Sequence, residues 1–307
     1  MAGFRFKDGR RRVETRTLAG TSTLSARTKN ILDKPDTAPA TPKGIVDPLG
    51  MARRIRLATY PPSAPLARFV DYVWIVEWNM GERAPEIQRV LPYPNAHLVF
   101  DRGRTAIHGV VRGAFERKVA GAGRVLGVRF KPGGLRPFIA HPVSRLADRT
   151  MAADEVLRIS SAAAEQRVLE GDSDADMVGA AEAMLLAVLP APDPRALLAE
   201  QAVNAAAAID GPASVAALCA QTGIEERALQ RLFSNYVGVS PKWVIQRYRL
   251  QEASWRLARP APVDLAALAS QLGFFDQAHF TRYFTKLVGT SPLEYWKSQQ
   301  EPRQSSP

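Results

Sequence analysis

Cysteine is nearly absent: Cys219 is the one cysteine in 307 residues. That excludes an internal disulfide framework and a zinc–cysteine cluster. Long apolar runs are lacking too, so no segment is expected to span a bilayer. The N-terminus has no apolar core of a secretory signal. Histidine is scarce, at four residues. His97, His108 and His141 form no H-x-H pair and no spacing that marks a metal triad, so no metal or cofactor is expected. A nucleophile elbow and a phosphate-binding glycine loop are missing as well. These absences argue against an enzyme. What remains reads as a soluble, cytoplasmic chain with 46% apolar and 23% charged residues, ordinary for globular proteins and long enough for two domains.

The net charge is +11, from 41 Lys and Arg against 30 Asp and Glu. Residues 1–60 hold 13 basic and 5 acidic side chains, and residues 61–150 hold 14 and 7. Residues 151–199 hold 3 and 9, and residues 200–307 hold 11 and 9. A basic excess permits a polyanionic partner. Charge alone does not say where that partner binds.

Residues 1–50 are rich in Arg, Thr, Pro and Ala, with no sustained apolar period, and read as disordered. The run RFKDGRRR (5–12) admits a nucleic-acid arm, a solvated tail or a targeting presequence. Translation from Met51 is a further reading. From residue 51 to 150 the text changes to short β-branched and aromatic runs: 69–78, 96–100, 106–111 and 124–130. Pro, Gly and Asn separate them. This predicts a β-rich domain, a small barrel or sandwich. PGGLRPFI (132–139) starts a turn or short helix. Residues 151–198 are an acidic, Ala-rich helical connector. Helices are expected near 151–169, 174–189 and 194–208, either as a dimerisation surface or packed on the β domain. A domain of 199–300 and a tail of 301–307 follow. The overall expectation is an α+β chain with an all-α C-terminal domain.

That last domain writes one line twice. LQRLFSNYVGVSPKW (229–243) recurs as FTRYFTKLVGTSPLE (280–294). One element earlier, SVAALCAQTG (214–223) recurs as DLAALASQLG (264–273). Ser214 and Asp264 suit helix N-caps, and the Gly of each copy suits a left-handed stop. Helix, Gly-containing turn and second helix make a helix-turn-helix signal, at about 214–237 and 264–288. At 100° per residue Leu229, Leu232, Phe233, Tyr236 and Val237 share one apolar stripe, as do Phe280, Tyr283, Phe284, Leu287 and Val288. Arg227, Gln230, Arg231, Ser234 and Asn235 fall opposite in the first copy. Ala278, His279, Thr281, Arg282, Thr285 and Lys286 do so in the second. Arg reads guanine and Gln reads adenine through paired hydrogen bonds. Gly238 and Gly289 then end each helix, and Ser-Pro restarts the chain at 240–241 and 291–292. Residues 241–259 predict a long amphipathic spacer helix, on which Arg247, Arg249 and Arg256 are candidates for phosphate contacts.

These residues resemble the AraC/XylS-type transcriptional regulators over 200–300, through LQRLF, GVSP, RYRLQEA, LASQLGF, FTRYF and GTSPLEYW. The resemblance implies sequence-specific binding to double-stranded DNA by two helix-turn-helix motifs joined by a long helix. It implies base contacts from Arg227, Gln230 and Arg231, and from Gln277, Thr281 and Arg282. Phosphate contacts are expected from Ser234, Asn235, Arg247, Thr285 and Lys286. Two departures stand out: Glu225 occupies the usual Ser cap position, and Ala278 stands opposite Arg227. The second turn is one residue longer than the first. The β-rich part resembles an uncharacterised sensor-like domain found with such regulators, through RFVDYVW, VLPYPNAHLVF and GVRFKPGG. A small-molecule effector, a homodimer and RNA polymerase are the further partners implied, and no membrane. The competing reading is an enzyme or metal-binding barrel at the N-terminus fused to the DNA-binding module. A third, non-specific architectural binding, fits poorly with the small charge excess of residues 200–307, because such binding rests on phosphate neutralisation.

Overall fold

The computed structural model describes residues 55–81, 85–158, 160–208, 211–259 and 261–300. The extension 1–50 and the tail 301–307 lie outside the described residues. The β-rich part is a six-stranded antiparallel sheet in the order β1-β2-β7-β4-β5-β8. Its strands are β1 (Ile55–Tyr60), β2 (Val70–Asn79), β4 (His97–Phe100), β5 (Ala106–His108), β7 (Ala122–Phe130) and β8 (Thr150–Ala152). A two-stranded ribbon of β3 (Glu86–Val90) and β6 (Phe115–Val119) is hydrogen-bonded separately and packs on the sheet, with Arg117 over Trp78 and Phe115 against His108. The β-rich N-terminal part of the expected α+β chain is thus a six-stranded sheet with a two-stranded ribbon. Strands β2 and β7 pair Trp74 with Gly127. A Cβ at residue 127 would lie 2.0 Å from the Trp74 ring, so only glycine lets the indole lie flat across the sheet.

The apolar face of the sheet is closed by helices. Phe100, Leu126 and Phe130 share a core with residues of α1 (Ala153–Leu157), α2 (Ala162–Leu169) and α3 (Asp174–Leu186). The helix expected over 151–169 is broken in two. Residues 150–152 join the sheet as β8, and Arg158 turns left-handed at φ 57°. Of the two readings of the connector, packing on the β domain holds for α2 and α3. Helix α4 (Pro194–Ala207) behaves differently, because Ala199, Ala202 and Val203 enter the core of the next domain.

Six helices and one π turn complete the described chain: α5 (Val215–Thr222), α6 (Glu226–Leu232), the π turn (Phe233–Val237), α7 (Pro241–Leu257), α8 (Leu265–Gln271), α9 (Gln277–Val288) and α10 (Pro292–Gln300). They form two cores. Leu218, Leu229, Phe233 and Val244 belong to the first; Leu250, Leu268, Phe280 and Phe284 belong to the second. Helix α7 feeds both, its N-terminal half into one and its C-terminal half into the other. Seventeen residues at 1.5 Å each make it about 26 Å long. No helix among the described residues is long and apolar enough to cross a membrane.

Candidate nucleic-acid interface

Each repeat folds as a helix, a turn and a second helix, and local chemistry fixes each boundary. Ser214 caps α5 by accepting from the Ala217 amide at 3.1 Å. Asp264 caps α8 by accepting from the Ala266 and Ala267 amides at 2.9 and 3.0 Å. Gly223 and Gly273 take φ of 69° and 68°, a left-handed conformation that costs other residues steric strain. Gly238 and Gly289 repeat the device at the far ends of the second helices, at φ 96° and 93°. Ser240 restarts the chain by capping α7 on the Trp243 amide. Ser291 does so reciprocally with Glu294, whose carboxylate accepts from the Ser291 amide and hydroxyl, at 3.0 and 2.9 Å. Those bonds hold the Glu294 carboxyl below its usual pKa.

The second helix of each motif buries its apolar stripe and turns its polar side outward. Leu229, Leu232, Phe233, Tyr236 and Val237 are buried, as are Phe280, Phe284, Leu287 and Val288. Arg227, Gln230 and Arg231 are exposed on the first helix. Gln277, Arg282, Thr285 and Lys286 are exposed on the second, with Thr281 half-buried. Among the described residues Arg227, Arg231, Arg282 and Lys286 enter no ion pair with the protein. Their charges stand free for a ligand. Gln230 reaches back to Glu226 at 3.0 Å, and Asn235 donates to the Arg231 carbonyl at 2.9 Å.

The two helices differ at both ends. Glu225 stands at the N-cap of α6 and makes no side-chain capping bond. Asp276 caps α9 by accepting from the His279 amide at 2.6 Å. Helix α6 widens into the π turn, where the Gly238 amide bonds the Phe233 carbonyl. The turn lets Tyr236 bury its ring while its hydroxyl donates to Asp193 at 2.6 Å. Burial and that bond raise the tyrosine pKa. Helix α9 runs unbroken over twelve residues.

Three basic residues of the spacer, raised as candidates for phosphate contact, are engaged by the protein itself, with Arg249 and Arg256 half-buried. Arg247 is fully buried. Its Nη2 donates to the Arg112 and Gly113 carbonyls at 2.6 and 3.2 Å, and its guanidinium lies over Trp243. Burial lowers its pKa from the usual guanidinium value. Arg249 donates to the carbonyl of Pro212, which precedes α5, and to that of Gly273 in the second turn. Arg256 is held by Glu252 and Gln271. Ser234 is exposed but meets Ser144 of the β-rich part at 3.2 Å.

What covers Arg247 is the N-terminal domain. Its segments around residues 91–93, 110–114 and 133–146 lie against the helical domain. Leu91 joins the second core and Val110 the first. Tyr93 stacks at an angle on Tyr248, at 5.9 Å. Gln251 reaches the Leu91 carbonyl, and Lys131 pairs with Glu200 at 3.3 Å. The histidines raised as metal ligands are used otherwise. His97 accepts at Nδ1 from Trp74 Nε1, and burial pushes its pKa down to about 3. Among the described residues no group of three or more His, Cys, Asp or Glu is placed to hold a metal ion.

Residues 218–298 match a family described as a helix-turn-helix domain, and residues 58–152 match a domain of unknown function. An uncharacterized HTH-type transcriptional regulator of Haemophilus influenzae is 32% identical over 68 residues, 22% of each chain. The HTH-type transcriptional activator RhaR of Salmonella schwarzengrund is 26% identical over 107 residues, 35% of this chain and 38% of that one. The matches thus span between about a fifth and two fifths of the length of these curated relatives. Among solved structures, a probable AraC family transcriptional regulator from Rhodopseudomonas palustris is 28% identical with a TM-score of 0.31, covering 34% of this chain and 99% of that one. ToxT from Vibrio cholerae is 11% identical with a TM-score of 0.34, covering 80% and 98%. The Haemophilus, Salmonella and Rhodopseudomonas relatives are each described as a transcriptional regulator or activator.

Proposed function

We propose, from the match of residues 218–298 to a helix-turn-helix family, that the protein is an AraC/XylS-type transcription regulator reading two successive major-groove segments of one DNA site. The observation that carries this is the pair of recognition helices, each with free polar side chains, fixed to one spacer about 26 Å long. One turn of B-DNA is about 34 Å. Two helices held on a spacer of that order can enter successive grooves on one face of the duplex.

Arg227, Gln230 and Arg231 read base edges in one segment, and Gln277, Thr281 and Arg282 in the other. Asn235, Thr285 and Lys286 take the phosphate side. Arg247 has no part in DNA contact. It ties the spacer to the N-terminal domain, so that domain is coupled to the spacing of the two readers. A small-molecule effector, or dimerisation through the N-terminal domain, acts by shifting that grip. Contact with RNA polymerase belongs to the same reading and follows once the site is occupied.

Selection of bound sequences from a random duplex pool with the full chain tests the proposal. Two short conserved segments about one helical turn apart are expected. Recovery of no motif, or of a single uninterrupted one, would sink it.

A further inference from the structure

The two turns differ by one residue, and the extra residue is Phe275. Gly223-Ile224-Glu225 leads into α6, while Gly273-Phe274-Phe275-Asp276 leads into α9. The cap positions, Glu225 and Asp276, correspond. So do Ile224 and Phe274, each the residue after the left-handed glycine. Phe274 is 8% exposed and packs its ring on His279, Phe280 and Tyr283. Phe275 has no counterpart in the first motif and is 92% exposed.

Its place gives that exposure a meaning. Phe275 immediately precedes the cap of the second recognition helix, at the end whose residues approach base edges when such a helix enters the major groove. The core does not need it, since Phe274 already seals the turn. The helix behind it is thin in polar readers, with Ala278 where the first motif has Arg227. An exposed aromatic ring can read by apolar contact a feature that arginine and glutamine do not, the C5 methyl of thymine.

We propose that Phe275 is a specificity-determining residue that packs on a thymine methyl in the DNA segment read by the second motif. The inference rests on the two-segment reading above and deepens it. The second motif then specifies its segment partly through apolar contact, where the first relies on Arg and Gln hydrogen bonds.

The test uses full-length chains, wild type and Phe275→Ala, on the same random duplex pool at one salt concentration. Because Phe275 is exposed, its removal leaves the fold intact, which the melting temperature checks. The expected result is that both chains recover the two-segment motif, but Phe275→Ala loses a thymine preference at one position of the second segment. Replacing that thymine by deoxyuridine, which deletes only the methyl, is expected to weaken wild type about fourfold, the worth of one buried methyl group. It should leave Phe275→Ala unchanged. A variant that keeps every preference, or that loses affinity equally for thymine and deoxyuridine sites, overturns the inference while the two-segment reading stands. Failure of wild type itself to select a motif overturns both.

Discussion

Helix α6 of the first motif begins under Glu225, which caps nothing, and ends in a π turn pressed against the N-terminal domain. There Ser234 meets Ser144, and a Cβ on Gly238 would come within 3.0 Å of Val143. The second begins under Asp276, which accepts from the His279 amide, and runs as a regular helix to Gly289. Two copies of one line are thus stabilised by different means. The first is braced from outside by another domain. The second is set by its own cap and carries an added aromatic in its turn. Duplication preserved the apolar stripe that each motif needs to fold, and left the ends and the outward face free to diverge.

The comparison breaks first at the cores. Phe233→Ala and Phe284→Ala each delete a fully buried ring. Each is expected to cost about 3–5 kcal/mol of stability, measured by denaturant unfolding of the full chain. A loss confined to one of them would mean that only one motif depends on its stripe. Next come the readers. Arg231→Ala is expected to cost about 1–3 kcal/mol at the selected site and to relax one base position. Arg282→Ala is expected to cost less, because its helix has fewer polar partners. A larger effect at Arg282 would overturn that ranking.

The caps give a smaller contrast. Asp276→Ala is expected to destabilise by about 1 kcal/mol, and Glu225→Ala by a few tenths at most. Equal effects in thermal melts would show that Glu225 contributes in some way other than capping. The smallest expected change is at Lys286. Its replacement by Ala should weaken binding alike on all sequences and lower the slope of log affinity against log salt by about one. An unchanged slope would remove Lys286 from the phosphate side.

Much of the helical domain was legible because its signals are local. A glycine at positive φ, a Ser or Asp cap and a Pro at the first helical position act within four residues of themselves. Gly223, Gly238, Gly273 and Gly289, Ser240 and Pro241 are therefore readable in any context. The missed elements were set by distant partners. Residues 150–152 carry no strong strand signal and become β8 because β5 offers an open edge. Phe275 was in plain sight as the residue that lengthens the second turn, yet only its exposure distinguished it from its buried neighbour.

The sequence by itself determined two helix-turn-helix motifs, their stops and restarts, the spacer between them, and which face of each second helix is apolar. These follow from backbone conformation and helical period, which depend on near neighbours. Tertiary structure alone decided the fate of Arg247. Helical spacing places Arg247 between Trp243, Val244 and Leu250, but the carbonyls that accept from its Nη2 belong to residues 112 and 113, 135 and 134 positions away. No local pattern encodes that meeting, because it exists only once the sheet's loops have closed over the helix.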